Sequence, residues 1–474
     1  MYNSLAIITN YDIFTSFLTE ANSVSEGGKK CQTILKILVK LAWNLLLKIC
    51  ANLIEFLNKI ILSEDFLSRH RRSPKDFVRE RLLPFHNMIF FLMNMVKGSL
   101  QDELDYFFKA LRAEEVAIRN VTKGAFTKAR KKLSYQAFIE LGRHLVSFFY
   151  AHFPCRKWKG FRLLAIDGST GKVPRTQEVA DHFGTWNPAK GDACPVARIS
   201  DLFDVLNGIV VDALIRPKEQ GERLLAAEHL QQVKSGDLIL LDRGYPAFWL
   251  FLLILFKQAH FCARVKTSWT EVRKFRNSGK KEKIITLCPS FVSIEQCKKL
   301  NLPLSDLQVR AIRIELDNGE TEILLTSLLD KDLYPHEIFK ELYHLRWTVE
   351  ENYKTAKSRI EIENFSGKSV ESVYQDFHAK VFAMNLTAAL THPAQDCIAG
   401  QQKKYAYRIN FTQALSKMKD SIVLLFKRPN IMELINKLFD LFISTIEPIR
   451  PGRKYPRKQR VQRRGFYPCY KPIR

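Results

Sequence analysis

Phe161-Arg162-Leu163-Leu164-Ala165-Ile166-Asp167-Gly168-Ser169 decides how this chain folds. An unbroken apolar run from Leu163 to Ile166 is closed by a carboxylate and a glycine. Short runs of this kind read as strands buried on both faces. The pattern recurs at Leu238-Ile239-Leu240-Leu241, which Asp242 closes before Arg243-Gly244-Tyr245. Each run is expected to be a strand ending at its aspartate, so that the acid leaves the core where the chain turns. One strand-terminal Asp is more often a turn or cap residue. Two of them, after two runs of the same form, point to a shared role in an α/β protein.

A third carboxylate lies in LYHLRWTVEENYKTAKSRI, Leu342 to Ile360. At about 100° per residue on an α-helix, Tyr343, Arg346, Glu350 and Lys357 fall within about 60° of one another. One acid, two cations and a phenol would then share a stripe. A phosphodiester at a metal ion needs such a set: the acid holds the metal and the cations hold phosphates. The competing reading is a solvated face on which Arg346 pairs with Glu350 or Glu351, an interaction of only about 0.3–0.5 kcal/mol. Trp347 reads as a core anchor of this helix. Asp167, Asp242 and Glu350, with no cysteine or histidine cluster beside them, favour a hard cation, Mg²⁺ or Mn²⁺. Two ions about 3.5–4 Å apart suit in-line displacement at phosphorus.

These motifs resemble the IS-four family of insertion-sequence transposases, DDE enzymes on an RNase H-like fold. The resemblance rests on Asp167 in LLAIDGS, Asp242 in LILLDRGY and the Tyr343, Arg346, Glu350, Lys357 signature, and it covers roughly Phe77 to Thr391. It implies an RNase H-like catalytic core, a mixed sheet flanked by helices, with Asp167, Asp242 and Glu350 as catalytic metal ligands. Tyr343, Arg346 and Lys357 would grip phosphates. It also implies a β-rich insertion before the glutamate helix and a homodimer in the synaptic complex. The DNA partners would be double-stranded ends with terminal inverted repeats, and a target. A nick, a hairpin, its opening and strand transfer would follow in turn. One departure stands out: Glu322 occupies the place before Ile323-Leu324-Leu325-Thr326 where some relatives carry a tryptophan that stacks on a flipped base. Trp269 is a candidate substitute. A non-catalytic DNA-binding descendant, or a nuclease that cuts without joining, are the alternatives. The intact triad speaks against the first.

Composition agrees with a polyanionic partner. The 474 residues carry 74 Lys+Arg against 49 Asp+Glu, a formal charge of +25, which favours nucleic acid. A membrane span needs about 20 apolar residues; the longest clean run, Pro246 to Phe256, better suits a buried helix. The start of the chain lacks the basic and small-residue features of a signal peptide. The nine cysteines include no C-x-x-C pair, so neither a zinc cluster nor a disulfide framework is expected. A cytoplasmic, nucleoid-associated protein of a bacterium or archaeon is the expected setting.

The expected organisation is a helical region at 1–70 and a helical DNA-binding domain at 71–155. The catalytic domain follows at 156–392, with its β-rich insertion at about 250–330, then a helical region at 393–448 and a basic tail at 449–474. In the second of these, Ser99 with Asp102 resembles a capping box, and Thr122 opens a basic helix carrying Lys128, Arg130, Lys131 and Lys132. Two helices, a short connection and a basic second helix fit a helix-turn-helix-like DNA binder. The tail interleaves basic residues with Tyr455, Phe466, Tyr467 and Tyr470, which suits phosphate contact and base stacking.

Overall fold

The computed structural model describes residues 29–450 apart from 80, 188–191, 317–318 and 400–404, with side chains in the first helix from Trp43 onward. The tail beyond Arg450 and the first part of the N-terminal region lie outside the described residues. What is described falls into two compact units: 29–155 together with 357–450, and 156–356.

The first unit is helical. Its N-terminal part comprises α1 (Lys29–Ile61), α2 (Glu64–His70), α3 (Phe85–Met93), α4 (Leu100–Arg112), α5 (Lys123–Arg130) and α6 (Gln136–His152). Thr122 caps α5 by accepting from the Ala125 amide at 3.2 Å. Ser99 precedes α4 without a side-chain cap bond. There the Glu103 carboxylate takes the amides of Lys97 and Gly98 instead, and Lys419 pairs with it at 2.6 Å. The connection between α4 and α5 takes up residues 113–122, longer than the roughly 3–4-residue turn of a helix-turn-helix. The expected short connection is therefore not there.

Among the expected DNA contacts, Lys128, Lys131 and Lys132 are exposed on and after α5. Arg130 is not. It is 5% exposed, pairs with Asp376 at 2.7 Å, and donates to Gln375, Ser366 and the Ser372 carbonyl. A guanidinium whose three nitrogens are all bonded inside the protein is a structural tie and not a phosphate contact. Arg130→Ala leaves Asp376 buried without its partner and is expected to cost about 3–5 kcal/mol of stability, read as a lower urea midpoint. Loss of DNA affinity at unchanged stability would reverse this assignment.

The second unit, 156–356, is built on one nine-stranded sheet. Its elements are β1 (Arg162–Lys172), α7 (Gln177–Phe183), β2 (Thr185–Trp186), β3 (Cys194–Asp204), β4 (Ile209–Pro217), α8 (Glu222–His229), β5 (Asp237–Leu241), α9 (Phe248–Phe256), β6 (His260–Arg264), α10 (Thr270–Asn277), β7 (Glu282–Leu287), α11 (Phe291–Lys299), β8 (Leu307–Glu315), β9 (Thr321–Thr326), α12 (Ile338–His344) and α13 (Trp347–Thr355). The order is β4-β3-β1-β5-β6-β9-β8-β7, with β2 on β3. The central pairs β1–β5 and β5–β6 are parallel, while β3 runs antiparallel to both β1 and β4. This is the mixed, helix-flanked sheet of an RNase H-like core. Leu163–Ile166 and Leu238–Leu241 are fully buried; each such aliphatic side chain contributes about 1.5–3 kcal/mol.

Two expectations change here. Asp167 does not end its strand, since β1 runs on to Lys172 along β3. Gly168 sits inside that strand because a side chain there would meet the Tyr245 hydroxyl at 3.2 Å. The segment expected as a β-rich insertion, about 250–330, supplies β6, β7, β8 and β9, which continue the same sheet. The signature segment is also not one straight helix. α12 stops at His344, a turn follows at Leu345–Arg346, and α13 gives way to a π-helical turn over Ala356–Ile360.

The first unit resumes at Lys357 and includes α14 (Val370–Ala399), β10 (Tyr407–Ile409), α15 (Phe411–Lys427), α16 (Ile431–Ser444) and β11 (Ile446–Pro448). α14 passes through residues 392 and 393 without a break, carrying Pro393 inside it. It packs on α3, α6, α15 and α16. By compactness the sheet unit thus ends at Ala356, not at 392, because the apolar faces of α14 are buried by N-terminal helices. None of the described helices is long and apolar enough to cross a membrane.

Candidate active site

Register builds the site. Ile166 pairs with Leu241 and Leu241 with Ala263 on the three parallel strands. The next residue on each is Asp167, Asp242 and Arg264, three charged side chains in a row on strands about 4.8 Å apart. The alternation of strand side chains sends these three away from the face that their buried neighbours fill.

Asp242 is held hard at one oxygen. Its Oδ1 accepts from the Arg243 amide at 2.6 Å, from Arg264 Nη2 at 2.7 Å and Nε at 3.0 Å, and from the Tyr343 hydroxyl at 3.3 Å. Among the described residues no donor reaches Oδ2. Burial works to raise the pKa of Asp242, but the Arg243 amide, Arg346 and Arg264 outweigh it and hold the carboxyl below the ordinary carboxylate range. Asp167 goes the other way. Burial first, and then the charges of Glu350 and Asp242, push it up to about 6 against the pull of the Gly168 amide and Arg346.

Arg346 joins the three acids. It is 1% exposed, donates Nη2 to Glu350 Oε1 at 2.9 Å, and acts electrostatically on both aspartates. Its guanidinium lies over the rings of Tyr343 and Trp347, at 5.7 and 5.5 Å. Its Nε and Nη1 are buried with no hydrogen-bond partner. The competing reading, a pair with Glu350, is therefore right in its partner but not in its setting: Arg346 is enclosed and Glu350 is half-buried. Trp347, expected in the core, is 41% exposed.

Tyr343 is buried, and its hydroxyl reaches Asp242 and the Leu241 carbonyl. It orients a carboxylate, where a phosphate contact was expected. Lys357 belongs to the helical unit, half-buried, with Glu363 at 3.8 Å. Glu322 has a definite role: it pairs with Arg264, the same guanidinium that grips Asp242. The departure from the stacking tryptophan thus becomes part of the support for Asp242. Trp269 is half-buried, with its ring 6.1 Å from Phe251.

Among the described residues no three His, Cys, Asp or Glu side chains form a closed metal cage. The donor set nonetheless fits a hard divalent cation by its chemistry. All candidate ligand atoms are carboxylate oxygens, and Asp167, its proton affinity raised by burial first and then by Glu350 and Asp242, is a carboxylate whose charge a cation would compensate. Sequence reading missed Arg264, whose signal was a third apolar run, Phe261-Cys262-Ala263, closed by a charge. It also missed Tyr353, Ser200, Asp201 and His229, for which the sequence carries no distinctive pattern. Asp201 faces Asp167 across the β1–β3 ladder. Burial, and then Asp212 and Asp167, raise it to about 8.

Residues 158–386 match the Transposase DDE domain family. The chain is 23% identical over 322 residues to Transposase InsG for insertion sequence element IS4 of Escherichia coli (strain K12), across 65% of this chain and 70% of that protein. It is 30% identical over 99 residues to Putative transposase InsZ of the same organism, across 20% of this chain and 33% of that one. A piggyBac transposase synaptic complex with hairpin DNA is a structural neighbour at a TM-score of 0.44 and 10% identity, over 85% of this chain and 87% of that chain. The aspartates that follow the buried runs of two parallel strands, the glutamate helix and the domain match agree: the chain belongs to the IS-four (IS4) family of DDE insertion-sequence transposases.

Proposed function

We propose that Asp167, Asp242 and Glu350 are the catalytic carboxylates of this transposase and hold Mg²⁺ or Mn²⁺, two ions in the working complex. The observation that carries this is the register that sets Asp167 beside Asp242, with Arg346 acting on both and bonded to Glu350. A bound divalent ion would supply Lewis-acid polarisation of the phosphoryl oxygen and an activated nucleophile at neutral pH. The chain's own side chains do the rest. Arg264 and Tyr343 fix Asp242 through one oxygen and leave the other as a ligand. Arg346 offers its two unpartnered nitrogens, Nε and Nη1, to a phosphate, a charge-assisted contact whose fork geometry lysine cannot copy.

Lys357 neutralises backbone phosphate. Lys128, Lys131 and Lys132, with the basic tail, supply the salt-sensitive part of end-DNA binding. The chain works as a homodimer on ends with terminal inverted repeats, passes through a hairpin, and joins the ends to target DNA in the cytoplasm of a bacterial or archaeal host. The test of the metal assignment is thermal. An ion at about 100 times its dissociation constant stabilises the folded protein by about 2.7 kcal/mol. Wild-type protein should melt higher with rising Mn²⁺, and Glu350→Ala should lose most of that rise. An equal rise in both would remove Glu350 from the metal site.

A further inference from the structure

The main-chain oxygen of Asp167 is a meeting point. The Tyr353 phenol donates to it at 2.9 Å and the Ser200 hydroxyl at 3.3 Å. Tyr353 stands on α13 three residues after Glu350, hence on the same side of the helix, and is 8% exposed. Ser200 ends a buried chain. Asp212 Oδ2 lies 2.7 Å from His229 Nδ1, and His229 Nε2 lies 3.0 Å from Ser200 Oγ. His229 has no exposure at all and Ser200 has 1%.

We propose that Tyr353 is a positioning residue of the catalytic centre: its phenol ties the helix that carries Glu350 to the strand that carries Asp167. The inference rests on the triad reading above and adds a member that the Tyr343, Arg346, Glu350, Lys357 signature does not contain. β5 pairs with β1 only as far as Ile166, so Asp167 is the first residue of β1 without ladder support on that side. Apolar packing alone lets a helix slide by fractions of an ångström on a sheet. A hydrogen bond of fixed length and direction does not. Bound at Asp167 itself, it sets the separation of the two carboxylates where misplacement by about 1 Å costs on the order of 10²-fold in rate. The Asp212–His229–Ser200 chain holds the same oxygen from the β3 side, so the strand is gripped from two directions.

The experiment uses the full chain and three variants: Tyr353→Phe, Ser200→Ala and, as reference, Asp167→Ala. Three quantities are read: the Mn²⁺ concentration at half-maximal thermal stabilisation, the Mg²⁺ dependence of single-turnover end cleavage, and end-DNA affinity in EDTA. Groups that orient metal ligands typically change metal affinity or activity by about 10–100-fold. Tyr353→Phe should therefore move the Mn²⁺ midpoint up by about 10-fold, slow cleavage at limiting Mg²⁺, recover part of that loss as Mg²⁺ rises, and leave DNA affinity in EDTA unchanged. Ser200→Ala should move the midpoint the same way by less. A wild-type midpoint and rate in Tyr353→Phe, whatever its melting temperature, would show a packing residue and overturn the proposal. If Tyr353→Phe fails to fold, an unmoved midpoint in Ser200→Ala overturns it equally. Cleavage and Mn²⁺ stabilisation retained by Asp167→Ala would sink the triad reading itself, a result distinct from a wild-type Tyr353→Phe beside an inert Asp167→Ala.

Discussion

Asp167→Ala is expected to lower single-turnover cleavage of end DNA by about 10³-fold or more, while end binding in EDTA stays as in the wild type. Transition-state stabilisation at a metal centre amounts to several kcal/mol, and each ~1.4 kcal/mol is tenfold in rate. The conservative Asp167→Asn should be as inactive, yet its effect on stability should be the opposite of a damaged core. The Asp167 carboxyl is raised from 3.8 to about 6 in the folded protein. Between about pH 4 and pH 6 the folded state then holds a proton that the unfolded state has lost. The stability of metal-free protein therefore falls as pH rises through that window and stays lower above it, by on the order of 3 kcal/mol. Asparagine removes the charge, so Asp167→Asn should melt higher than the wild type at pH 8 in EDTA, with the difference closing towards pH 4. A variant that cleaves normally would end the catalytic assignment. One that melts lower at pH 8 would end the account of charge crowding.

Arg346→Ala should slow cleavage by about 10²-fold at saturating protein, the size expected when a reacting group is misplaced by about 1 Å. Arg346→Lys should not rescue it, because an ammonium cannot reproduce the guanidinium fork. The enclosure of Arg346 sharpens the test. An exposed partner of Glu350 would contribute about 0.3–0.5 kcal/mol to stability and nothing to turnover. A buried guanidinium with two unpartnered nitrogens among three carboxylates should affect turnover far more than the melting curve. Near-wild-type rates in Arg346→Ala, with or without a change in melting temperature, would return the side chain to a structural role.

Much of this was written in local pattern. The apolar runs before Asp167 and Asp242 specify buried strands because their side chains have nowhere else to go. The acid after each run marks where burial ends. Arg130 shows the limit of such reading. In sequence it is one of several cations on a basic helix; in the fold it is the one turned towards Asp376. Charge alone carries no information about which side of a short helix another helix will cover. The break at Leu345–Arg346 was equally hidden, since every residue there is compatible with a helix.

The sequence by itself determined the strand–acid pattern, the three candidate carboxylates, the positive charge and hence the kind of partner, because periodicity and composition act through local burial and net field. Only the tertiary structure decided the register that sets Asp167, Asp242 and Arg264 side by side, the enclosure of Arg346, the pairing of Glu322 with Arg264, and the grip of Tyr353 on Asp167. Each of these joins residues far apart in the chain, or depends on which face a distant element covers. Strand order and helix packing settle such contacts through the summed burial of the whole core, and no local window of sequence contains that sum.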